Sequence, residues 1–266
     1  MEIKKFFVIG SPIDHSLSPK LQNRWLKENN INAVYDKIKL ENNQIKSFLQ
    51  EIKEKKIYGC NVTVPFKKMV IPFLDILSPE AEHTQSVNTI ILNNDNLVGH
   101  NTDIAGFEKA IKSLNFNMKD KKILILGAGG VVSSIVFALK KMDVSEIMIS
   151  NRTRQKAENF KNLFNDLKII EWGSLPSFDV IINATSIGLN NETINLDFSK
   201  VGKNKLFYDV IYNPIETNFL KKGKELGNKA ENGKLMFVYQ AQEAFKIWHE
   251  VEPVINSEIL KFLDND

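Results

Sequence analysis

Residues 122–132 read Lys-Ile-Leu-Ile-Leu-Gly-Ala-Gly-Gly-Val-Val, an apolar run that passes directly into a glycine-rich turn. A helical pattern follows and continues through Lys140. This order is typical of a βαβ unit, because a glycine turn lets backbone N–H groups at a helix start approach a pyrophosphate. Val132 occupies the third glycine position of G-x-G-x-x-G, so a plain strand-to-helix turn is the alternative. The stretch predicts a doubly wound, dinucleotide-binding domain.

The segment after the next predicted strand indicates which dinucleotide this turn would take. Asn151-Arg152-Thr153-Arg154 stands where an enzyme that uses NAD usually places an acid for the ribose 2′-hydroxyl. Guanidinium groups pair with a 2′-phosphate through charge-assisted hydrogen bonds, whereas an acid would repel that phosphate. Because two of the chain's three arginines lie here, we predict NADP rather than NAD. The alternative is that both arginines are solvated loop charges.

Strand-like and helical patterns alternate along the whole chain, which is typical of parallel sheets built from βαβ units. We predict an α/β fold with two domains. These are an α/β substrate-binding domain at 1–101 plus 238–266 and a Rossmann-like, doubly wound, parallel-sheet NADP-binding domain at 102–237. The predicted strands are 5–9, 33–37, 57–64, 89–92, 122–126, 146–150, 180–183 and 206–210. The predicted helices are 19–29, 42–53, 104–114, 130–142, 155–164, 218–226, 238–249 and 253–263.

Composition and charge exclude several classes of protein. Of 266 residues 43% are apolar, and 35 basic against 32 acidic residues give a formal net charge of only +3. This balance predicts no nucleic-acid partner. No segment approaches the roughly 18 consecutive apolar residues that span a bilayer, and Cys60 has no second cysteine for a disulfide. We expect a soluble, cytoplasmic protein that acts on a small molecule and contacts no membrane. The sequence leaves open whether it forms a homodimer.

Polar strings stand at the ends of predicted strands in the first domain, at 10–19, 61–68 and 86–89, and at 100–103 one hairpin later. In the first string, Ser16 and Ser18 precede a helix that starts with proline. They are placed to donate to an anionic or polyhydroxylated ligand, although Ser18 alone would most often be an N-cap. In the second string, strand alternation puts Asn61 and Thr63 on one face.

Lys67 and Asp103 are the predicted proton-transfer pair. Reduction of a ketone by hydride leaves an alkoxide that needs a proton, so a titratable group must lie beside that oxygen. A lysine ammonium suits this task when a carboxylate orients it and keeps it charged. The alternative is an exposed lysine and a helix-capping aspartate. The four histidines are isolated and lack the spacing of a metal site, so we predict no metal.

A buried strand at 180–183 ends in Ala184-Thr185-Ser186-Ile187-Gly188. The carboxyl ends of strands in a doubly wound sheet face the ligand crevice, so Thr185 and Ser186 are predicted to line the cofactor. An ordinary turn made by serine and glycine explains the same residues nearly as well.

Nine strings together resemble the shikimate dehydrogenase family, in its order and along nearly the whole chain. They are 10–19, 61–67, 87–89, 101–103, 127–130, 151–153, 183–188, 209–214 and 236–245. The resemblance implies NADPH-dependent, reversible reduction of 3-dehydroshikimate to shikimate, a step in aromatic amino-acid (chorismate) biosynthesis. It also implies a substrate domain formed by both chain ends and an inserted Rossmann domain.

The resemblance also implies a set of functional residues, carried over position by position. Lys67 would transfer the proton, with Asp103 as its partner. The residues that would bind substrate are Ser16, Ser18, Thr63, Lys67, Asn88, Asp103, Tyr212 and Gln240. Those that would bind NADP are Gly127, Ala128, Gly129, Gly130, Val131, Asn151, Arg152, Thr153, Lys156, Thr185, Ser186, Val210 and Gly233.

Several positions depart from the family pattern. Histidine is common at 66, glycine at 104, serine and arginine at 132 and 133, and glycine at 235, where this chain has Phe66, Ile104, Val132, Ser133 and Leu235. Arg154 and Lys156 would compensate for the arginine missing after the glycines. The alternative functions are a quinate/shikimate-type dehydrogenase of relaxed specificity and a non-catalytic homologue that senses NADPH.

Overall fold

A computed structural model of the chain describes residues 3–264 and forms two compact units. Unit 1 comprises the chain up to Gly106 together with the chain from Val238 onward, and unit 2 comprises Phe107–Phe237. The predicted α/β class is confirmed.

The strands are β1 (Lys4–Gly10), β2 (Ala33–Lys39), β3 (Gly59–Val62), β4 (Ile76–Leu77), β5 (Thr89–Asn93), β6 (Asn96–His100), β7 (Lys122–Leu126), β8 (Glu146–Ser150), β9 (Lys168–Ile170), β10 (Val180–Asn183), β11 (Leu206–Asp209) and β12 (Lys229–Glu231). The helices are α1 (Ser18–Glu28), α2 (Ile45–Lys53), α3 (Pro79–Thr84), α4 (Asp103–Ser113), α5 (Val132–Lys141), α6 (Arg154–Glu158), α7 (Asn218–Glu225), α8 (Lys234–His249) and α9 (Ser257–Asp264). Short 3₁₀ turns lie at 42–44, 71–73 and 159–162.

Unit 1 contains a six-stranded mixed sheet in the order β2-β1-β3-β5-β6-β4. Helix α2 shows how the sequence covers this sheet. Its buried residues recur at the helical spacing i, i+3, i+4 and i+7, and they join one apolar core with strand residues. They are Ile45, Phe48, Leu49 and Ile52.

The prediction of parallel sheets is wrong for part of unit 1, where β5 pairs antiparallel with both β3 and β6. Strands β5 and β6 are joined by Asn94 and Asp95, which both have left-handed backbone angles, φ 47° and φ 62°. A two-residue turn of this kind closes an antiparallel hairpin, whereas a parallel connection needs a dozen or more residues. The hairpin brings the polar string at 86–89 beside 100–103.

Unit 2 contains a six-stranded sheet in the order β12-β11-β10-β7-β8-β9, in which all pairs are parallel. Every residue of β10 and β11 is buried, and so is every residue of β7 after the first. This burial is typical of central strands that are covered on both faces. The chain direction across the sheet reverses at β7 and its neighbour β10, so their carboxyl ends form the switch point of a doubly wound sheet.

Every predicted strand and helix is found, with differences at the ends. The elements that were not predicted are short: β4, α3, β6, β9 and β12. The predicted helix 155–164 is an α-helix only over α6 and continues as a 3₁₀ turn. Within residues 3–264, none of the helices combines the length and the apolar character needed to cross a membrane.

Candidate active site

Lys67 and Asp103 form a buried ion pair in unit 1. Lys67 lies in the turn after β3, and Asp103 is the first residue of α4. The Lys67 ammonium lies 2.5 Å from Asp103 Oδ2, and the two side chains are 13% and 8% exposed. Lys67 is therefore not the exposed lysine of the alternative interpretation. The fold brings together two groups that lie 36 residues apart in the chain.

Asn88 holds the second oxygen of the same carboxylate. Its amide nitrogen donates to Asp103 Oδ1 and to Thr102 Oγ1, each at 2.9 Å. Its amide oxygen accepts from the Thr102 backbone N–H at 2.8 Å, which fixes the orientation of the amide. Both oxygens of Asp103 therefore have a donor, and the Lys67 ammonium is aimed by a carboxylate that is itself held in place.

Four of the other predicted substrate residues are Ser16, Ser18, Gln240 and Tyr212. Ser18 donates its backbone N–H to Ser16 Oγ at 3.3 Å, so the two serines lie together. Ser18 is the first residue of α1 and makes no side-chain cap, so its interpretation as an N-cap is wrong. Gln240 joins the Asn88 network, with its amide oxygen 3.5 Å from Asn88 Nδ2. Tyr212 belongs to unit 2, where its ring stacks on Phe237 with centroids 4.6 Å apart.

Thr63 lies against the first polar string because residue 10 is glycine. A Cβ built on Gly10 would lie 2.5 Å from Thr63 Cγ2, which is closer than non-bonded carbon atoms approach in proteins. The Ser11 backbone N–H then donates to the Val64 carbonyl at 2.9 Å. This close approach brings the string 10–19 beside the string 61–67.

Tyr35 and Asn61 extend the network, and Tyr35 was not predicted as a site residue. The Tyr35 hydroxyl donates to Asn61 Oδ1 at 2.6 Å, and Asn61 Nδ2 donates to the Asn88 carbonyl and to Thr89 Oγ1, each at 3.0 Å. Burial raises the pKa of Tyr35, and a hydrogen bond with Ser18 opposes that rise. The available signal was a tyrosine on the buried face of a strand, since a buried tyrosine hydroxyl needs a partner.

The glycine turn of unit 2 has the shape of a dinucleotide cradle. Gly127 has φ +111°, and a Cβ there would lie 2.6 Å from the Ala184 carbonyl oxygen. Gly129 and Gly130 are exposed, and α5 begins next to them without a side-chain cap at Val131. Uncapped N–H groups at a helix start are an anion-binding site, so the turn fits a pyrophosphate.

The two arginines after β8 have different environments. Arg154 pairs with Glu158 at 3.1 Å and with Glu171 at 3.2 Å, so a ligand phosphate would compete with two carboxylates for its guanidinium. Arg152 is exposed, and in the described part of the chain it makes no ion pair. Lys156 is also exposed. Asn151 donates its side-chain amide to the Thr153 carbonyl at 2.8 Å, which shapes this turn.

Two further turns of unit 2 carry predicted cofactor residues. Thr185 Oγ1 donates to Asn183 Oδ1 at 2.7 Å, while Ser186 is exposed. Gly233 packs against Val210, because a Cβ on Gly233 would lie 2.2 Å from the Val210 carbonyl oxygen. Thr185 and Ser186 follow the carboxyl end of β10 and Val210 follows that of β11, whereas Gly233 follows β12.

Comparisons with known proteins identify the family. The family model for the shikimate dehydrogenase substrate binding domain matches residues 8–90, and the model for shikimate / quinate 5-dehydrogenase matches residues 108–210. The chain is 55% identical to shikimate dehydrogenase (NADP(+)) of Pelagibacter ubique, over 98% of this chain and 99% of that protein. The chain belongs to the shikimate dehydrogenase family. The resemblance seen in the nine strings is confirmed.

Solved structures of the shikimate dehydrogenase family share this fold. The shikimate dehydrogenase of Aquifex aeolicus is 36% identical, with a TM-score of 0.89 that covers 99% of this chain and 98% of that one. The shikimate 5-dehydrogenase of Thermus thermophilus, solved in complex with NADP(H) and shikimate, is 29% identical, with a TM-score of 0.89 and 98% coverage of both chains.

The positions that depart from the shikimate dehydrogenase pattern are mostly core residues here. Phe66 is 0% exposed and belongs to the apolar core of unit 1. Ile104 and Val132 are 2% and 0% exposed, and Ser133 is 4% exposed. Leu235 is half-buried. The residues next to Lys67 and Asp103 in the chain, Phe66 and Ile104, are therefore buried and apolar.

Proposed function

We propose that this member of the shikimate dehydrogenase family is an NADP-dependent shikimate dehydrogenase, which reversibly reduces 3-dehydroshikimate to shikimate in aromatic amino-acid biosynthesis. The observation that carries the proposal is the buried Lys67–Asp103 pair, held by Asn88. The 55% identity to the Pelagibacter ubique enzyme, over nearly the full length of both chains, supports the same reaction and cofactor.

Lys67 is the proposed proton-transfer residue. When bound, NADPH supplies the hydride that reduces the substrate ketone. The alkoxide left on the substrate takes a proton from the Lys67 ammonium, which Asp103 orients from 2.5 Å. In the reverse direction, the neutral amine of Lys67 accepts the proton of the substrate hydroxyl. Asp103 aims the ammonium because its own carboxylate is held by Asn88.

The substrate shell proposed for unit 1 is polar throughout. Hydroxyl and amide groups suit a small ring that bears hydroxyls and a carboxylate, because each ligand oxygen can be paired. An analogue that lacks a hydroxyl would leave a buried donor unpaired. The residues are Ser16, Ser18, Thr63, Asn88 and Gln240. Tyr212 of unit 2 is the further substrate residue that we propose from the family resemblance.

The NADP site proposed for unit 2 rests on the glycine turn and Arg152. The turn 127–131 would hold the pyrophosphate at the start of α5. Arg152 would pair with the 2′-phosphate, supported by Asn151, Thr153 and Lys156. Thr185, Ser186, Val210 and Gly233 complete the proposed site. In these terms, 1–101 plus 238–266 is the substrate-binding domain and 102–237 the NADP-binding domain.

The test is an assay of the purified protein with shikimate and either NADP or NAD. We expect reduction of NADP at a kcat/KM far above that for NAD, because only NADP offers a phosphate to Arg152. Quinate in place of shikimate identifies the relaxed-specificity alternative if both are oxidised equally well. Binding of NADPH without turnover of either substrate would establish the non-catalytic sensor instead.

The sequence properties support further proposals about the setting of the reaction. Balanced charge favours a small-molecule substrate over nucleic acid as the partner. A single, buried cysteine is compatible with a reducing compartment, and we propose the cytoplasm. A homodimer stays a prediction, which light scattering coupled to size exclusion measures directly.

A further inference from the structure

Asp209 is a buried carboxylate that the proposed mechanism does not use. It ends β11, is 0% exposed, and accepts three hydrogen bonds. Its Oδ1 accepts from Asn183 Nδ2 at 3.1 Å and from the Ile211 backbone N–H at 3.0 Å. Its Oδ2 accepts from Thr217 Oγ1 at 2.6 Å. Burial of a carboxylate without a cation costs free energy, so the three donors must hold it there.

The Asn183 side of this carboxylate shapes the turn 184–188. Asn183 Nδ2 also donates to the Ile187 carbonyl at 3.1 Å, and its amide oxygen accepts from the backbone N–H and the hydroxyl of Thr185. The Ala184 carbonyl, in the same turn, is the atom that Gly127 approaches so closely. Asp209 is therefore linked through Asn183 to the turn that packs on the glycine turn.

The other side of the carboxylate shapes the turn 210–214. The Ile211 N–H donates to Asp209, and the Ile211 carbonyl accepts from the Gly233 N–H at 3.0 Å. Thr217, the third partner, also accepts the Leu220 N–H at 3.3 Å and so caps α7. One carboxylate thus connects the ends of two neighbouring parallel strands with the start of a helix.

We propose that Asp209 is a positioning residue, whose carboxylate holds the turns 184–188 and 210–214 in the conformation that binds the dinucleotide. The proposal rests on the proposed function, since it takes Thr185, Ser186 and Val210 as parts of the NADP site. Asp209 itself, at 0% exposure, acts through Asn183 and Ile211 rather than by touching the ligand.

The surroundings place the charge of this carboxylate under the control of pH. Burial raises the pKa of Asp209 to about 6, although its hydrogen bonds with Thr217, Ile211 and Asn183 lower it. No histidine lies between residues 107 and 237. Burial also raises the pKa of Glu231 on the adjacent strand. The other charged groups on the unit 2 elements around β11 are Lys229 of β12, Lys221, Lys222, Lys224 and Glu225 of α7, and Glu108, Lys109 and Lys112 of α4.

Protonation reverses one hydrogen bond of this network and removes the carboxylate as the acceptor of the Thr217 hydroxyl hydrogen. A protonated Oδ2 donates to Thr217 Oγ1, since a threonine hydroxyl is both donor and acceptor, while Oδ1 still accepts from Asn183 and Ile211. The charge-assisted hydrogen bonds become neutral and weaker. An asparagine at 209 reproduces that neutral state, with its amide nitrogen toward Thr217.

The experiment measures the dissociation constant of NADPH by its fluorescence, for the wild-type protein and Asp209→Asn in parallel, from pH 5 to pH 8.5. We expect Asp209→Asn to bind roughly five- to tenfold more weakly at pH 8, with the ratio of the two constants approaching one at pH 5. The comparison cancels the titration of the 2′-phosphate, which affects both proteins. Glu231→Gln is the matched control, and its ratio to wild type should stay constant.

Two outcomes overturn the proposal while leaving the proposed function intact. A ratio of one at every pH shows that Asp209 does not position the turns, and a constant ratio above one shows a loss unrelated to ionisation. If the wild-type protein itself binds no NADPH, the proposed function and this inference fall together.

A second pair of variants keeps the proposal testable if Asp209→Asn does not fold. Thr217→Val removes one donor and so raises the pKa of Asp209 further, whereas Thr217→Ser keeps the hydroxyl. We expect the pH at which NADPH binding weakens to be higher in Thr217→Val and unchanged in Thr217→Ser. The same pH for both variants contradicts the proposal.

Discussion

At the scale of single residues, the decisive fact is that a charge acts according to its partners. Lys67 has a carboxylate at 2.5 Å and little solvent, while Lys68, the next residue, is exposed. Arg152 and Arg154 lie two positions apart, yet only Arg154 is paired with carboxylates in the described residues. We therefore expect substitutions of Lys67 and Arg152 to affect function most.

Replacement of Lys67 tests the proton transfer. In Lys67→Ala we expect kcat for shikimate oxidation to fall by about 10²- to 10⁴-fold, the usual contribution of a positioned acid or base. Shikimate binding, measured by calorimetry, should change far less because the polar shell remains. Lys68→Ala is the matched control and should keep wild-type turnover. An active Lys67→Ala would remove the assignment.

Replacement of Arg152 tests the choice of cofactor. We expect Arg152→Ala to raise KM for NADP by about 10- to 100-fold, the worth of a hydrogen bond to a charged group, with little change for NAD. In Arg154→Ala the change should be small, since the Arg154 guanidinium is already paired with Glu158 and Glu171. Equal effects of the two substitutions on KM would show that neither guanidinium recognises the 2′-phosphate specifically.

At the scale of structural elements, glycine turns let separate segments come into contact. Gly10 admits Thr63, Gly127 admits the Ala184 carbonyl, and Gly233 admits the Val210 carbonyl. Of these three, Gly127 also has a positive φ, +111°. The turn after β7 therefore depends on glycine for its backbone conformation as well as for space.

A pair of glycine substitutions separates these two requirements. In Gly127→Ala the new Cβ would lie on a residue with positive φ and 2.6 Å from the Ala184 carbonyl oxygen. In Gly173→Ala the residue also has a positive φ, +97°, but no atom lies within 4 Å of the new Cβ. Backbone strain should cost each variant roughly 1–3 kcal/mol. Overpacking should cost Gly127→Ala about 1–3 kcal/mol more. Urea unfolding midpoints measure the difference, and equal midpoints would show that the turn relaxes.

At the scale of the whole molecule, the stability of the protein depends on pH through buried groups whose pKa shifts have opposite effects. His249 in unit 1 lies between aromatic rings, with the Phe245 and Phe6 centroids 4.5 Å and 4.9 Å away. Burial, together with nearby Lys4, lowers its pKa to about 4. Asp209 in unit 2 has the opposite shift, because burial raises its pKa to about 6.

His249 should destabilise the protein in acid. Its ordinary pKa is about 6.5, so the unfolded chain binds a proton first as pH falls, and stability is lost between pH 6.5 and pH 4. Allowing for partial exposure, the loss is about 1–2 kcal/mol. Unfolding of His249→Phe should depend less on pH in this window than that of wild type, and an equal pH dependence would contradict the lowered pKa.

Asp209 should act in the opposite direction. Its folded pKa lies above the ordinary value of 3.8, so the folded state binds the proton first and stability rises as pH falls from about 6 toward 4. The shift corresponds to about 3 kcal/mol. Asp209→Asn should therefore lose this rise and be at least as stable as wild type at pH 7. A wild-type pH slope in Asp209→Asn would contradict a raised pKa.

The sequence was most informative where the determining interactions are local. The apolar spacing of α2 and the glycine turn at 127–130 could be read without coordinates, because each depends on neighbours within a few turns. The order of the nine strings could be read because it is a property of the sequence itself. The short elements β4, β9 and β12 were missed since two or three residues carry no periodicity. The hairpin before 100–103 was expected, yet the general prediction of parallel sheets did not allow for the antiparallel pairing of β5 with β3 and β6.

By itself, the sequence determined the α/β class, the family and the identity of the candidate chemical groups, because backbone propensity and residue type are properties of the chain. Only the tertiary structure decided which groups meet. Lys67 and Asp103 lie 36 residues apart, Asn88 and Gln240 lie 152 apart, and Arg154 is paired by Glu171, 17 residues away. Burial, which sets the behaviour of Tyr35 and Asp209, likewise depends on packing that no local pattern contains.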